Sequence, residues 1–239
     1  MKSSKLLSLL TALATAVLVL SGSIAVPILC RPFYYAHIEA MSLPEYTGLT
    51  VDQIKQAFDE MLDFCLGLRQ DFSVGVLSWS ESGRDHFADV RVLFQLDLVI
   101  LVLSAAALVA LVLIARRRRL TPARLLGRGP GFWGAAGLAA VFLVVGALAA
   151  TDFNRAFVIF HTLFFRGKTN WIFDWRTDPI ILLLPETFFR NCAILILVLL
   201  VFWCAVLIAA DLLAGRKRRT VPPACPGCPG GGVCGSICK

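Results

Sequence analysis

The stretch Leu96-Asp97-Leu98-Val99-Ile100-Leu101-Val102-Leu103-Ser104-Ala105-Ala106-Ala107-Leu108-Val109-Ala110-Leu111-Val112-Leu113-Ile114-Ala115 ends directly on Arg116-Arg117-Arg118-Arg119. A helix needs roughly 20 apolar residues to cross the hydrocarbon layer of a bilayer. This run has that length, carries no charge between Asp97 and Arg116, and stops on a cluster of arginines. It therefore reads as a transmembrane helix whose C-terminal end lies at a membrane surface.

Three further runs, 6–29, 132–150 and 193–214, meet the same requirement. Of the 239 residues, 58% are hydrophobic and 16% charged, against about 45–50% and about 25% in soluble domains. The excess is gathered in blocks, so it marks spans and not a richer soluble core. The fold class that follows is an all-α membrane protein of four transmembrane helices. A four-span domain covers 1–215. Its polar segments, 30–95 and 151–192, hold amphipathic or interfacial helices, and a basic, Pro/Gly/Cys-rich tail occupies 216–239. The run at 132–150 is rich in small residues (Gly134, Ala135, Ala136, Gly137, Gly146), which let helix backbones approach closely in lipid. Gly134 and Gly137 are not spaced as GxxxG, so the spacing is a weak signal for helix pairing.

Orientation follows from where the positive charge sits. The link between spans two and three holds Arg116, Arg117, Arg118, Arg119, Arg124 and Arg128, and Arg216, Lys217, Arg218 and Arg219 follow span four. Cytoplasmic loops carry such an excess because positive charge resists translocation. Both termini are then expected in the cytoplasm, with 30–95 and 151–192 on the outer face. The net charge of +7 is explained by these clusters. It implies contact with membrane lipids through anionic head groups, and no nucleic acid partner is expected. Lys2 and Lys5 before an apolar run, with Ser23-Ile24-Ala25 after it, resemble a signal peptide. The run exceeds the usual apolar core of about 7–15 residues, so an uncleaved first helix is expected.

The first polar segment contains a helix signature. Thr50 and Gln53 fit a capping box, in which each side chain satisfies an orphan backbone donor. Val51, Ile54, Phe58, Met61, Leu62 and Cys65 recur at helical spacing. Asp52, Gln56, Asp59, Glu60 and Asp63 fill the other face, with the acids expected in water. In the tail, Cys225, Cys228, Cys234 and Cys238 leave two readings open, a four-thiolate zinc site and a disordered segment. The gap between the cysteine pairs is shorter than the roughly 15–20 residues usual between zinc knuckles. The eight cysteines are too scattered for a disulfide framework.

Only three histidines occur, His37, His86 and His161, and all fall in the expected outer segments. His161 lies in Phe157-Val158-Ile159-Phe160-His161-Thr162-Leu163-Phe164-Phe165; read as a helix, Phe157, His161, Phe164 and Phe165 share a face. An ionisable side chain at membrane depth is costly and by default a functional candidate. Asp174 and Asp178 are close enough in sequence to orient its imidazole, and Trp171 and Trp175 suit anchors at the head-group level. His86 lies in Arg84-Asp85-His86-Phe87-Ala88-Asp89 ahead of span two. If this is the start of that helix, Asp89 shares a face with His86 and would hold one tautomer and raise its basicity. The other reading is an exposed, charged helix start. There is no Gly-rich phosphate loop, HExxH or GxSxG, and spans two and three lack mid-helix charges of the kind that line ion paths. Three classes remain on these residues: an enzyme using the histidines, a non-enzymatic membrane subunit or chaperone with structural histidines, and a redox protein with axial haem ligands.

Three stretches carry a family likeness: Gly48-Leu49-Thr50-Val51-Asp52-Gln53-Ile54; His86-Phe87-Ala88-Asp89-Val90-Arg91; and Phe160-His161-Thr162-Leu163-Phe164-Phe165 with Asn170-Trp171-Ile172-Phe173-Asp174, Asp178 and Leu184-Pro185-Glu186-Thr187-Phe188-Phe189. With the order of spans, the chain resembles the bacterial four-span lipoprotein intramolecular transacylases over about Leu6 to Ala214. The arginine block and the cysteine tail are outside the likeness. The resemblance implies an acyltransferase acting on diacylglyceryl-modified lipoproteins. A chain leaves the glyceryl ester for the α-amino group of the N-terminal cysteine, giving the lyso-form. It also implies that His86 and His161 are the catalytic pair; Asp85, Asp89, Asp174 and Asp178 are supporting candidates by their nearness to them in sequence. Ester-to-amide transfer needs no cofactor. It needs a general base for the attacking amine and a donor for the oxyanion. His161 is assigned as base, because its aromatic face suits acyl chains, and His86 as oxyanion donor or proton shuttle; the reverse assignment stays open.

Overall fold

The computed structural model describes residues 2–220; Cys225, Cys228, Cys234 and Cys238 lie outside the described residues. In chain order the elements are β1 (Lys2–Ser4), α1 (Lys5–Leu29), α2 (Arg31–Ala40), α3 (Leu43–Thr47), α4 (Val51–Leu66), α5 (Glu81–Arg117), β2 (Leu120–Pro122), α6 (Pro130–Thr151), α7 (Phe153–Phe164), α8 (Ile180–Leu183) and α9 (Glu186–Thr220). Helices α1, α5, α6 and α9 are long and apolar enough to cross a membrane. They alternate in direction, so β1, β2 and the end of α9 gather at the arginine-rich end, and all the shorter helices at the other.

α5 is longer than the span read from the sequence. Its 37 residues extend about 55 Å at 1.5 Å per residue, against about 30 Å of hydrocarbon. The surplus is at its N-terminal end, where Ser80 caps the helix by accepting from Gly83 N at 3.0 Å. His86 thus lies on the same rigid rod as span two.

The short helices form a cap with its own core. Tyr34 stacks on Phe58 with centroids 3.7 Å apart and meets the edge of Phe188 at 5.1 Å. Its hydroxyl donates to Leu183 O at 3.0 Å. α4 carries the expected capping box, with Gln53 N donating to Thr50 Oγ1 at 3.2 Å and Thr50 N to Gln53 Oε1 at 2.9 Å. It buries Ile54, Ala57, Phe58, Met61, Leu62, Phe64 and Cys65 and ends on Gly67, whose φ of 81° is readily available only to glycine. Its acids are not all in water, as the sequence suggested. Asp59 pairs with Arg31 at 2.9 Å and accepts from Tyr35 at 2.7 Å. Asp63 also pairs with Arg31, and Glu60 accepts from Ser73 and from Gly75 N. These bonds tie the polar face of α4 to its neighbours in the cap.

Within the bundle, α1 packs against α5, α6 and α9. Close contact with α6 does occur, although no GxxxG is present. A Cβ on Gly134 would stand 2.5 Å from the carbonyl oxygen of Ala12, so one glycine suffices for the approach. Ala135, Leu200 and Cys204 are buried between α6 and α9, with Val19 and Leu20 of α1 against them. At the arginine-rich end β1 pairs in parallel with β2, Lys2 opposite Leu120 and Ser4 opposite Pro122. Asp211 of α9 accepts from Gly129 N and Arg124 there, both at 3.0 Å.

Candidate active site

His86 and His161 come together at the cap end of the bundle. His86 is on the second turn of α5 and His161 near the end of α7; they are 6% and 7% exposed. Their ring centroids are 5.9 Å apart with the planes inclined by 26°. Aromatic side chains wall the pair. Phe165 (4.8 Å) and Phe173 (5.3 Å) pack on His86, while Phe157 (4.0 Å) and Trp171 (4.9 Å) pack on His161. Of the two phenylalanines expected on this face after His161, Phe165 is buried at the end of α7 and Phe164 is exposed.

The hydrogen bonds decide what each ring can do. His161 Nδ1 is 2.8 Å from Phe157 O. A carbonyl only accepts, so Nδ1 carries the proton, and in the neutral ring Nε2 presents a lone pair. His86 Nδ1 is buried without a partner. Burial, and next the neighbouring His161, push the His86 pKa down to about 4, with Asp89 pulling against them. Burial also lowers that of His161, opposed by its bond to Phe157. Both rings are therefore neutral near neutral pH, which suits one to accept a proton and the other to donate an N–H.

The carboxylates divide differently from the sequence expectation. Asp89 lies one turn beyond His86 but is engaged by the loop after α7: Lys168 donates to Oδ1, and Asn170 Nδ2 to Oδ2 at 3.2 Å. Burial raises its pKa, but these donors and the Lys168 charge outweigh that and hold the carboxyl below its usual range. Asp178, 4% exposed, accepts from Ser80 N (2.8 Å), Ser80 Oγ (2.7 Å) and Thr177 Oγ1 (2.8 Å). It thus fixes the start of α5 and touches neither imidazole. Asp174 folds into its own turn, accepting from Arg176 N at 3.0 Å, and Asp85 pairs with Arg84 at 2.9 Å on the surface. His37 lies apart in the cap, its Nδ1 donating to Phe33 O at 2.7 Å. Among the described residues, no three His, Cys, Asp or Glu side chains converge as metal ligands would. Sequence reasoning assigned no chemistry to Lys168, Asn170, Phe173 or Gly83. A Cβ on Gly83 would collide with the Asp178 carboxylate, and a glycine three residues before a candidate histidine was the available signal.

Four candidate spans and a buried imidazole pair at the cap end of the bundle define a polytopic membrane protein. The chain belongs to the lipoprotein intramolecular transacylase Lit family, whose model matches residues 9–189. It is thus a membrane-integral acyltransferase of a family that carries out intramolecular transacylation of lipoproteins, which decides among the three classes left open above. The fold is that of the membrane-integral lipoprotein intramolecular transacylase Lit from Bacillus cereus: TM-score 0.79 at 22% identity, covering 90% of this chain and 97% of that one. Two variants of the Bacillus cereus protein, in which one histidine is replaced by arginine or by alanine, match with TM-scores of 0.73 and 0.74 at 21% identity. Each covers 90% of this chain and, respectively, 92% and 95% of its own. No curated protein matches the chain.

Proposed function

We propose that His161 and His86 move an acyl chain within a diacylglyceryl-modified lipoprotein, from a glyceryl ester to the α-amino group of the N-terminal cysteine. The observation that carries this reading is the pair itself: two buried imidazoles with ring centroids 5.9 Å apart, one with its tautomer set by Phe157 O. The α-amine attacks the ester carbonyl as His161 Nε2 takes its proton. His86, donating from Nε2, stabilises the oxyanion of the tetrahedral intermediate. Collapse breaks the glyceryl C–O bond, and the His161 proton passes to the departing alkoxide. The products are an amide and a free glyceryl hydroxyl, so atoms and charge balance without a cofactor. Amine and ester are tethered in one molecule, which supplies much of the orientation. The arginine clusters at 116–119 and 216–219 favour a site on the outer face, with both termini in the cytoplasm.

The test replaces each histidine and reads lipoprotein N-termini by mass spectrometry. His86→Ala and His161→Ala each lose lyso-lipoprotein formation by about 10²–10⁴-fold, as expected for a general acid–base group. His37→Ala retains it, with equal protein in the membrane. Near-wild-type processing by either site variant removes that histidine from the mechanism.

A further inference from the structure

His86 Nδ1 is not the only orphan at the site. Asn170 Oδ1 is also buried and bonded to no protein group. A buried carbonyl oxygen without a donor is uncommon and calls for an explanation. Its orientation is not arbitrary. Asn170 Nδ2 donates to Asp89 Oδ2 at 3.2 Å, and an ionised carboxylate only accepts. Lys168, donating to the other oxygen, keeps that carboxylate ionised. The amide nitrogen must therefore face Asp89, which turns the amide carbonyl away from it. Asp89 belongs to the helix of His86, one turn on, and Trp171, next in the chain, packs on His161 at 4.9 Å. Asn170 thus stands where the two histidine-bearing segments meet, with an acceptor it does not use internally.

Resting on the transacylase reading, we infer that Asn170 Oδ1 and His161 Nε2 form a two-point subsite for a primary amine, the α-amine of the substrate's N-terminal cysteine. A neutral primary amine has two N–H bonds and one lone pair. With one N–H donated to His161 Nε2 and the other to Asn170 Oδ1, the lone pair is the only part left to meet the ester carbonyl. The N–C bond then forms, the C–O bond to glycerol breaks, and the amine proton goes through His161 to the alkoxide. A hydroxyl has a single hydrogen and cannot fill both acceptors. The subsite therefore selects nitrogen over the glyceryl hydroxyl, and the acyl chain moves from oxygen to nitrogen and not between oxygens.

The experiment compares two diacylglyceryl lipopeptides on the full-length protein in proteoliposomes. One has a free α-amine and the other an N-methyl α-amine, which has only one N–H. The wild type is expected to prefer the primary amine by about tenfold or more, because a site built for two donors rejects a ligand lacking one. In Asn170→Ala this preference falls to about threefold or less, along with the overall rate. The ratio within one preparation is independent of the folded fraction, and the bulk and basicity of the methyl group cancel between wild type and variant. If Asn170→Ala is inert, the same ratio is read in Asn170→Ser and in binding of ether-linked analogues, which cannot react. A wild-type ratio retained in the variants, or no preference in the wild type, overturns the subsite while leaving the histidine assignment standing. A wild type that forms no lyso product from either peptide overturns both.

Discussion

A histidine that serves as a base near neutral pH must be unprotonated there, and its surroundings decide whether it is. Burial lowers the pKa of His161, and that of His86 to about 4. The sign follows directly: a lowered pKa keeps each ring neutral to lower pH than an ordinary histidine, which titrates near about 6.5. The substrate α-amine, titrating near about 7.7–8.0, must itself lose a proton before it attacks. Initial rates are therefore expected to rise with pH up to about 8, and to follow the amine. A lipopeptide with a less basic amine moves the limb to lower pH; a limb fixed near 6.5 for both substrates would place the titration on a histidine instead. The two candidate histidines were legible in the sequence, because only three occur and each of these two sits in a distinctive aromatic or acidic context. Their supports were not. Asp174 was close to His161 in sequence, yet its side chain is used up by Arg176 N in a turn. Asn170 was legible only as part of a stretch that carries the family likeness, with no role of its own, since an unused acceptor exists only once Asp89 has taken the amide nitrogen.

At the scale of elements, the position of His86 depends on where α5 begins. Ser80 caps the helix and also bonds through N and Oγ to Asp178, which lies nearly a hundred residues along the chain. Gly83 leaves the space that this carboxylate occupies. Gly83→Ala is therefore expected to lower stability by about 1–3 kcal/mol, the usual cost of overpacking a filled site, and to reduce transacylation by shifting His86 one turn away. The thermal unfolding midpoint of the detergent-solubilised protein and its initial rate check this. An unchanged midpoint with full activity would mean that the Asp178 carboxylate swings aside at no cost. Local signals of this kind were unevenly readable. The Thr50–Gln53 box was visible because both partners are three residues apart and bond only to each other's backbone. The extension of α5 back to Glu81 was legible only as one of two readings of the stretch around His86, because the polar stretch 81–95 matches no membrane pattern and packs its apolar side chains into the cap. Likewise the approach of α6 to α1 through Gly134 depends on one facing carbonyl, that of Ala12, and on no repeat in the sequence.

For the whole molecule, the number of spans was the most legible property, because each apolar block matches the membrane thickness on its own. The cap was not, since its core joins Tyr34, Phe58, Phe87 and Phe188 from four separate segments. The orientation proposed from the arginines carries its own test. Reporter domains inserted within 118–129 are expected to report the cytoplasm, and those within 43–49 the outer side. Activity of each fusion confirms that it is folded. An outer signal from 118–129 would place the histidine pair on the wrong face for mature lipoproteins.

The pairing of β1 with β2 also constrains biogenesis. Lys2 meets Leu120 and Ser4 meets Pro122, so the strand ahead of the first helix has no partner until the second span has left the ribosome. During synthesis α1 can enter the bilayer, but its end cannot be latched. The latch closes only when the loop that follows span two emerges on the same side as β1. A second span inserted the wrong way round would carry β2 to the opposite side of the bilayer, where no strand is available to it. The small sheet thus rewards only the chain whose first two spans have been threaded in opposite directions.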